Sequence, residues 1–218
     1  MHNARKRGLL PAVALLVAVT VAGCGGSGSS GSSSNANAVD RAFVAEMIPH
    51  HKLAVQMAQM AQMQGNHPQL KTLATNIVAT QNREISQMSG LATQVGAKVD
   101  NQAASGQMHM GGLMSTNAQT LGIPMNKMGM SMNMTQLASA KPFDREFIDM
   151  MTPHHQGAIT MARPEMAKGA NPKLKALAQS IISDQTREIG QMNSWRIKWY
   201  GGPVPLGAAA AAGGMQGM

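Results

Sequence analysis

Residues 43–51 read FVAEMIPHH, and residues 147–155 read FIDMMTPHH. The agreement extends without a gap from residues 40–95 onto residues 144–199. Phe43, Met47, Pro49, His50, His51 and Met57 return as Phe147, Met151, Pro153, His154, His155 and Met161. Further on, Leu70, Leu73, Ile77, Gln81, Glu84, Ile85 and Met88 return as Leu174, Leu177, Ile181, Gln185, Glu188, Ile189 and Met192. A match of residue type at one fixed offset is an internal duplication, and the fold follows from the repeated unit.

Each unit reads as a helix, a tight turn and a second helix. Phe43, Met47, His50, Ala54, Met57 and Ala61 recur at steps of four and three, as do Val44, Ile48, His51, Val55 and Ala58, giving one wide apolar face at helical period. The run Gly65-Asn66-His67-Pro68 supplies stop and turn signals. The second helix carries Leu70, Leu73, Ile77, Gln81, Glu84, Met88 and Leu91 on one stripe. The expected helices are residues 41–64, 68–95, 144–168 and 172–199. One hairpin cannot hide its apolar face, but two can, so the expectation is an all-α, ferritin-like four-helix bundle of two duplicated hairpins. Pro49 and Pro153 either bend the first helix of each unit or mark its start. Pro164, present only in the second unit, is expected to distort or shorten that helix.

Polar residues on the apolar stripes point to chemistry. His50, Gln81 and Glu84, with His154, Gln185 and Glu188, occupy core-facing positions, where an unpartnered polar group is costly. Folding each hairpin about its turn sets His50 and His51 level with Gln81 to Glu84. Met47, Met57 and Met88, and their copies Met151, Met161 and Met192, ring the same level. Imidazole with thioether is a soft donor set suited to copper, above all Cu(I), with Cu(II) as second candidate. The metal-ligand candidates are therefore His50, His51, Met47, Met57, Glu84, Met88, His154, His155, Met151, Met161, Glu188 and Met192. A methionine on a helical face is more often plain core, and a His–Glu pair can serve only to fix bundle register.

The connecting segment adds a second group: Met108, His109 and Met110, then Met114, then Met125, Met128, Met130, Met132 and Met134. They sit among Gly, Asn, Ser and Thr without apolar periodicity. The expectation is a long, flexible, Met-rich crossover whose thioethers wrap a soft ion. Thioethers need no deprotonation, and outside the cell they last better than thiolates, although methionine also oxidises.

The set Met-x-Pro-His-His, the following Met, and the late Gln-x-x-Glu-Ile-x-x-Met resembles the CopM-like copper-binding family, also known as domain of unknown function 305. The residues are Met47 to His51 with Met57 and Gln81 to Met88, then Met151 to His155 with Met161 and Gln185 to Met192. The resemblance implies a ferritin-like helical fold and, for some members, periplasmic copper binding linked to resistance. It covers both repeats but not the flanking segments. Neither unit carries the Glu-x-x-His of di-iron bundles, which speaks against ferroxidase chemistry. Two other function classes stay open to the residues: a metal-dependent oxidase, and a metal-free interaction bundle.

The chain begins with Arg5, Lys6 and Arg7 followed by an apolar run from Leu9 to Ala22, too short for a comfortable membrane span and characteristic of a secretory signal. It closes on Val21-Ala22-Gly23-Cys24, which resembles a lipobox whose cysteine becomes the lipidated first residue. Cys24 is the only cysteine, which excludes disulfides and cysteine-based metal sites. The expected organisation is a signal over residues 1–23, a Gly/Ser tether over 24–39, hairpins over 40–96 and 141–200 joined by the linker 97–140, and a disordered tail over 201–218. Loss of Arg5, Lys6 and Arg7 lowers the formal charge from +8 to +5. With three Phe, two Trp and one Tyr for stacking, this argues against nucleic-acid binding. The expected setting is the outer face of the cytoplasmic membrane or the periplasm, with copper, the membrane and a copper-accepting protein as partners. Replacing Cys24 by Ala is expected to abolish labelling by radioactive palmitate in a bacterial host; undiminished labelling overturns the lipobox reading.

Overall fold

The computed structural model describes residues 35–100 and 112–205. The expected signal, Cys24 and most of the tether lie outside the described residues, as do Met108, His109, Met110 and the tail beyond residue 205. The described chain is all helical: α1 (Ala38–Gln64), α2 (Pro68–Val95), α3 (Gly112–Leu121), a 3-10 turn (Met125–Lys127), α4 (Met134–Ser139), α5 (Phe143–Lys168) and α6 (Pro172–Tyr200).

The four long helices start and stop where local chemistry dictates. Asn37 caps α1 by accepting from the Val39 and Asp40 N–H groups, while the Asp40 carboxylate accepts from the Asn37 N–H. Pro68 and Pro172 open α2 and α6 in the first turn, where a missing N–H costs nothing. Gly96 and Gly201 close the same helices with φ of 73° and 75°, a left-handed cap that glycine adopts without strain. Pro49 and Pro153 lie inside α1 and α5 rather than at their starts. Pro164 does not shorten its helix either, since α5 continues to Lys168. Side-chain burial on both flanks holds these helices across the lost hydrogen bonds.

α1 packs on α2, α5 packs on α6, and the two hairpins meet along α1 and α5 while α2 and α6 barely touch. The crossing is antiparallel, and the duplicated aspartates fix its ends. Asp40 at the start of α1 accepts from the Ala170 and Asn171 N–H groups in the turn of the second hairpin, at 3.1 and 2.9 Å. Asp144 at the start of α5 accepts from the Asn66 and His67 N–H groups in the turn of the first, each at 2.8 Å. His67 adds its Nδ1 to Asp144 at 2.6 Å and stacks flat on Trp199 at 3.7 Å. Two apolar clusters fill the crossing. One gathers Phe43, Met47, Met88 and Met161; the other gathers Met57, Phe147, Met151 and Met192.

From residue 112 onward the linker departs from the expectation of a flexible chain. α3, the 3-10 turn and α4 lie against α1 and α5, and Met114, Met128 and Met130 are buried in the first cluster with Ala118 and Leu121. Met125 packs partly against that cluster, Met132 and Met134 against the other. A bundle whose second hairpin runs antiparallel to its first needs a connection spanning its full length. Such a connection finds a core even without helical periodicity. Asn117 anchors it, donating to the buried Glu46 carboxylate at 2.6 Å.

The two Asp caps are not equivalent. Glu165, where the first repeat has Ala61, is fully buried beside Asp40, and neither of its carboxyl oxygens receives a donor from elsewhere. Burial, the adjacent Asp40 carboxylate and a hydrogen bond with Asp40 raise Glu165 to about 8, and Lys175 on α6 pulls only weakly the other way. Burial would also raise Asp40, but the N–H groups of Asn37, Asn171 and Ala170 outweigh it and hold that carboxyl below its usual range. Glu165 therefore keeps a proton in the folded protein that the unfolded chain releases near 4.5. Its contribution to stability is complete below about pH 4.5 and is lost as pH rises to about 8. Glu165→Gln, always neutral, should melt close to wild type at the acid end of this window and on the order of 5 °C higher above its alkaline end. Thermal melts across the window decide it, and a pH-independent gap overturns it.

Candidate metal centre

The four histidines of the repeat lie where α1 crosses α5. All are fully buried. The rings of His50 and His154 sit face to face across the helix interface, 3.7 Å between centroids and inclined at 37°. His51 and His155 point the other way, toward the second helix of their own hairpins. His51 Nε2 meets Glu84 Oε2 at 2.9 Å, and His155 Nε2 meets Glu188 Oε2 at 2.7 Å. The expected convergence of imidazole and carboxylate is thus present in both repeats. Adjacent histidines on a helix diverge by about 100°, so one of each pair can face the partner hairpin and the other its own α2 or α6.

Burial, with the neighbouring imidazoles His51 and His155 adding to it, holds His50 well below the ordinary histidine range. Burial and the rings of His50, His155 and His51 do the same for His154. Both rings are therefore uncharged at neutral pH, which lets them approach so closely and leaves a lone pair free on each. The main-chain carbonyls of His154 and Met128 lie near His50, but neither is in hydrogen-bonding geometry. Both ring nitrogens of His50 and of His154 lack a hydrogen-bond partner, as do Nδ1 of His51 and His155 and the side-chain amides of Gln81 and Gln185. Apart from Glu165, every unpartnered buried polar side-chain atom among the described residues belongs to this one region.

Met47, Met57, Met88, Met151, Met161 and Met192 are all fully buried. They are shared differently from a reading hairpin by hairpin. Met47 joins Met161 and Met88 on one side of the imidazole pair, while Met57 joins Met151 and Met192 on the other. The antiparallel crossing brings methionines of opposite repeats together. Thr152 Oγ1 approaches Met192 Sδ at 4.0 Å. Among the described residues no three His, Cys, Asp or Glu side chains are gathered closely enough to hold an ion by themselves. The buried methionines are the other donor type present around the histidines. On the far side, Glu84 lines a groove of about 690 Å³ between α2 and α6, rimmed by Arg83, Lys173 and Asp184.

Two residues at this centre are invisible to a motif search. Gly157, where the first repeat has Leu53, lets the Met128–Gly129 main chain lie directly on α5. Gly129, with φ of 70°, sits against the Pro153 and His154 carbonyls. The departure from the repeat at position 157 is the only signal the sequence holds.

Residues 40–196 match the family Domain of unknown function (DUF305), and the chain belongs to it. Solved structures of CopM are similar. The Cu(I)-bound form is 34% identical with a TM-score of 0.59, covering 74% of this chain and 98% of that one. A silver-bound form, 35% identical, gives 0.58 over the same shares, and a Cu(II)-bound form is also known. A putative secreted DUF305 protein from Streptomyces coelicolor, 21% identical over 77% of this chain and 97% of its own, shares the fold with a TM-score of 0.62. An uncharacterized protein, L153, from Acanthamoeba polyphaga mimivirus is 41% identical over 51 residues, 23% of this chain and about a third (34%) of that protein.

Leaving a buried polar group unpaired costs about 1–3 kcal/mol, whereas apolar groups of similar shape carry no such cost. Replacing His50 and His154 together by Leu should therefore raise the melting temperature of the metal-free protein by several degrees. Unchanged or lower stability would show that the rings are satisfied in a way their geometry does not reveal.

Proposed function

We propose that this protein binds copper at the crossing of its two hairpins, through the buried imidazoles completed by methionine thioethers. Cu(I) is the preferred ion and Cu(II) the second. The observation that carries the reading is the His50–His154 pair: two neutral, fully buried rings whose four nitrogens have no partner. A purely structural pair would leave that cost uncompensated, whereas a metal ion would meet it. The donor chemistry selects the ion, since neutral nitrogen and thioether sulfur favour soft, monovalent metals. That CopM, of the same family, is known with Cu(I), Cu(II) and silver supports the same choice.

Glu84 and Glu188 act through the rings they touch. Each carboxylate fixes the tautomer and tilt of His51 or His155 and raises its basicity toward a metal.

The setting is the outer face of the cytoplasmic membrane or the periplasm. The basic start, the apolar run and Cys24 support export and lipid anchoring. There the protein would buffer copper, protect against it, or pass it to an acceptor protein. Met108, His109 and Met110, which lie outside the described residues, would add further soft donors.

Glu84→Gln keeps the shape of the side chain and removes its charge. It should weaken copper binding by about 10–100-fold while leaving helix content intact. Anaerobic Cu(I) titration, aerobic Cu(II) titration and circular dichroism of the same variant check this. Unaltered affinity with a lowered melting temperature would instead assign the His–Glu pair to bundle register.

A further inference from the structure

The described part of the linker lies against α5 beside the imidazole pair at residues 128–130. Its seat there is unusually close. A Cβ at Gly157 would overlap the Met128 carbonyl and lie 2.6 Å from the Gly129 nitrogen. Conversely, a Cβ at Gly129 would lie 2.9 Å from the His154 carbonyl oxygen and 3.0 Å from that of Pro153. Two glycines thus meet main chain to main chain, one turn of α5 from His154. Met128 is fully buried at this point, Met130 nearly so, and the Met128 main chain lies near the His50 ring. The first repeat carries Leu53 at the position of Gly157, so only the copy crossed by the linker is notched to receive it.

Helix interiors disfavour glycine relative to alanine. A glycine inside α5 therefore weakens the helix, and the structure shows what it admits in return. We infer that Gly157 is the seat of a strap formed by residues 128–130, and that this seat holds the Met128 thioether over the His50–His154 pair as a soft ligand that biases the site toward monovalent copper and silver. This rests on the metal-binding reading above and deepens it. Gly157 is a positioning residue, acting through Met128. The strap closes one side of the imidazole pair, because it lies on α1 and α5, while α2 and α6 lie on the other. Thioether is a good ligand for Cu(I) and Ag(I) and a poor one for Cu(II). Loss of the strap should therefore separate the two oxidation states.

Gly157→Ala and Met128→Leu test this in the full chain. Alanine favours the helix itself, so any disturbance from Gly157→Ala comes from the strap; leucine keeps the bulk of Met128 and removes only its sulfur. Without metal, trypsin should cut after the exposed Lys127 about tenfold faster in Gly157→Ala than in wild type, with the far-ultraviolet circular dichroism unchanged. In competition titrations, both variants should lose about tenfold or more in Ag(I) and Cu(I) affinity and keep their Cu(II) affinity. X-ray absorption of the Cu(I)-loaded protein should show fewer sulfur neighbours in Met128→Leu than in wild type. Equal tryptic cleavage together with unchanged Ag(I) affinity overturns the inference while leaving the metal site intact. A parallel loss of Cu(I) and Cu(II) assigns the strap to folding and also overturns it. If wild type itself binds neither Ag(I) nor Cu(I), the metal reading fails, and the inference with it.

Discussion

The antiparallel crossing of α1 over α5 at His50 and His154 constrains everything else in this fold. Two imidazoles can lie 3.7 Å apart in a dry interior only while both are neutral, and their burial keeps them so. Once that contact is fixed, each Asp at a helix start comes to the opposite hairpin's turn. The Asp40 and Asp144 caps then lock the two ends of the crossing. The register is held by groups that cannot slip by a helical turn without stranding a carboxylate. Apolar clusters on either side of the imidazole pair supply the favourable burial that outweighs the unpaired nitrogens.

With only three Phe in the chain, methionine does much of the filling. Its unbranched, polarizable side chain adapts to gaps between crossing helices. Core packing and soft-metal ligation therefore ask for the same residue at the same place, and burial alone does not separate the two roles. The polar residues do. The six buried thioethers pack in apolar clusters, whereas the imidazoles between them keep unpartnered nitrogens, which ordinary core does not explain.

The four long helices and their turns were legible because a duplication repeats each signal twice and because stop, cap and apolar period agree. The His–Glu contacts were legible for a related reason: His51 and Glu84 sit on core stripes at the same distance from one hairpin turn, so closing the hairpin brings them together. Which methionines meet was not legible. Met47 finds Met161, and Met57 finds Met151, only because the hairpins run antiparallel, and nothing local encodes that choice. The linker from residue 112 onward was misread for the opposite reason. Its methionines lack periodicity, which argues against an amphipathic helix but not against burial. A segment forced along the bundle by the topology is packed by its neighbours. Pro49, Pro153 and Pro164 show the same rule, since tertiary burial carries α1 and α5 through residues that would end an isolated helix.

The repeats diverge where the crossover breaks their symmetry. Two identical hairpins crossing at their histidines would present two equivalent halves. A single linker can cover only one route across them, so the residues along that route must change in one copy only. Leu53 becomes Gly157 where the main chain passes, and Glu46, which Asn117 of α3 holds, is replaced in the second copy by Met150. The imidazole centre consequently has two unlike sides. One is sealed by main chain seated on a glycine with buried methionines beneath it. The other faces α2 and α6, where Glu84 is the acidic side chain that touches both a buried histidine and the groove between those helices. The duplication supplies the histidines and methionines in pairs, and the single linker supplies the polarity that a symmetric bundle lacks.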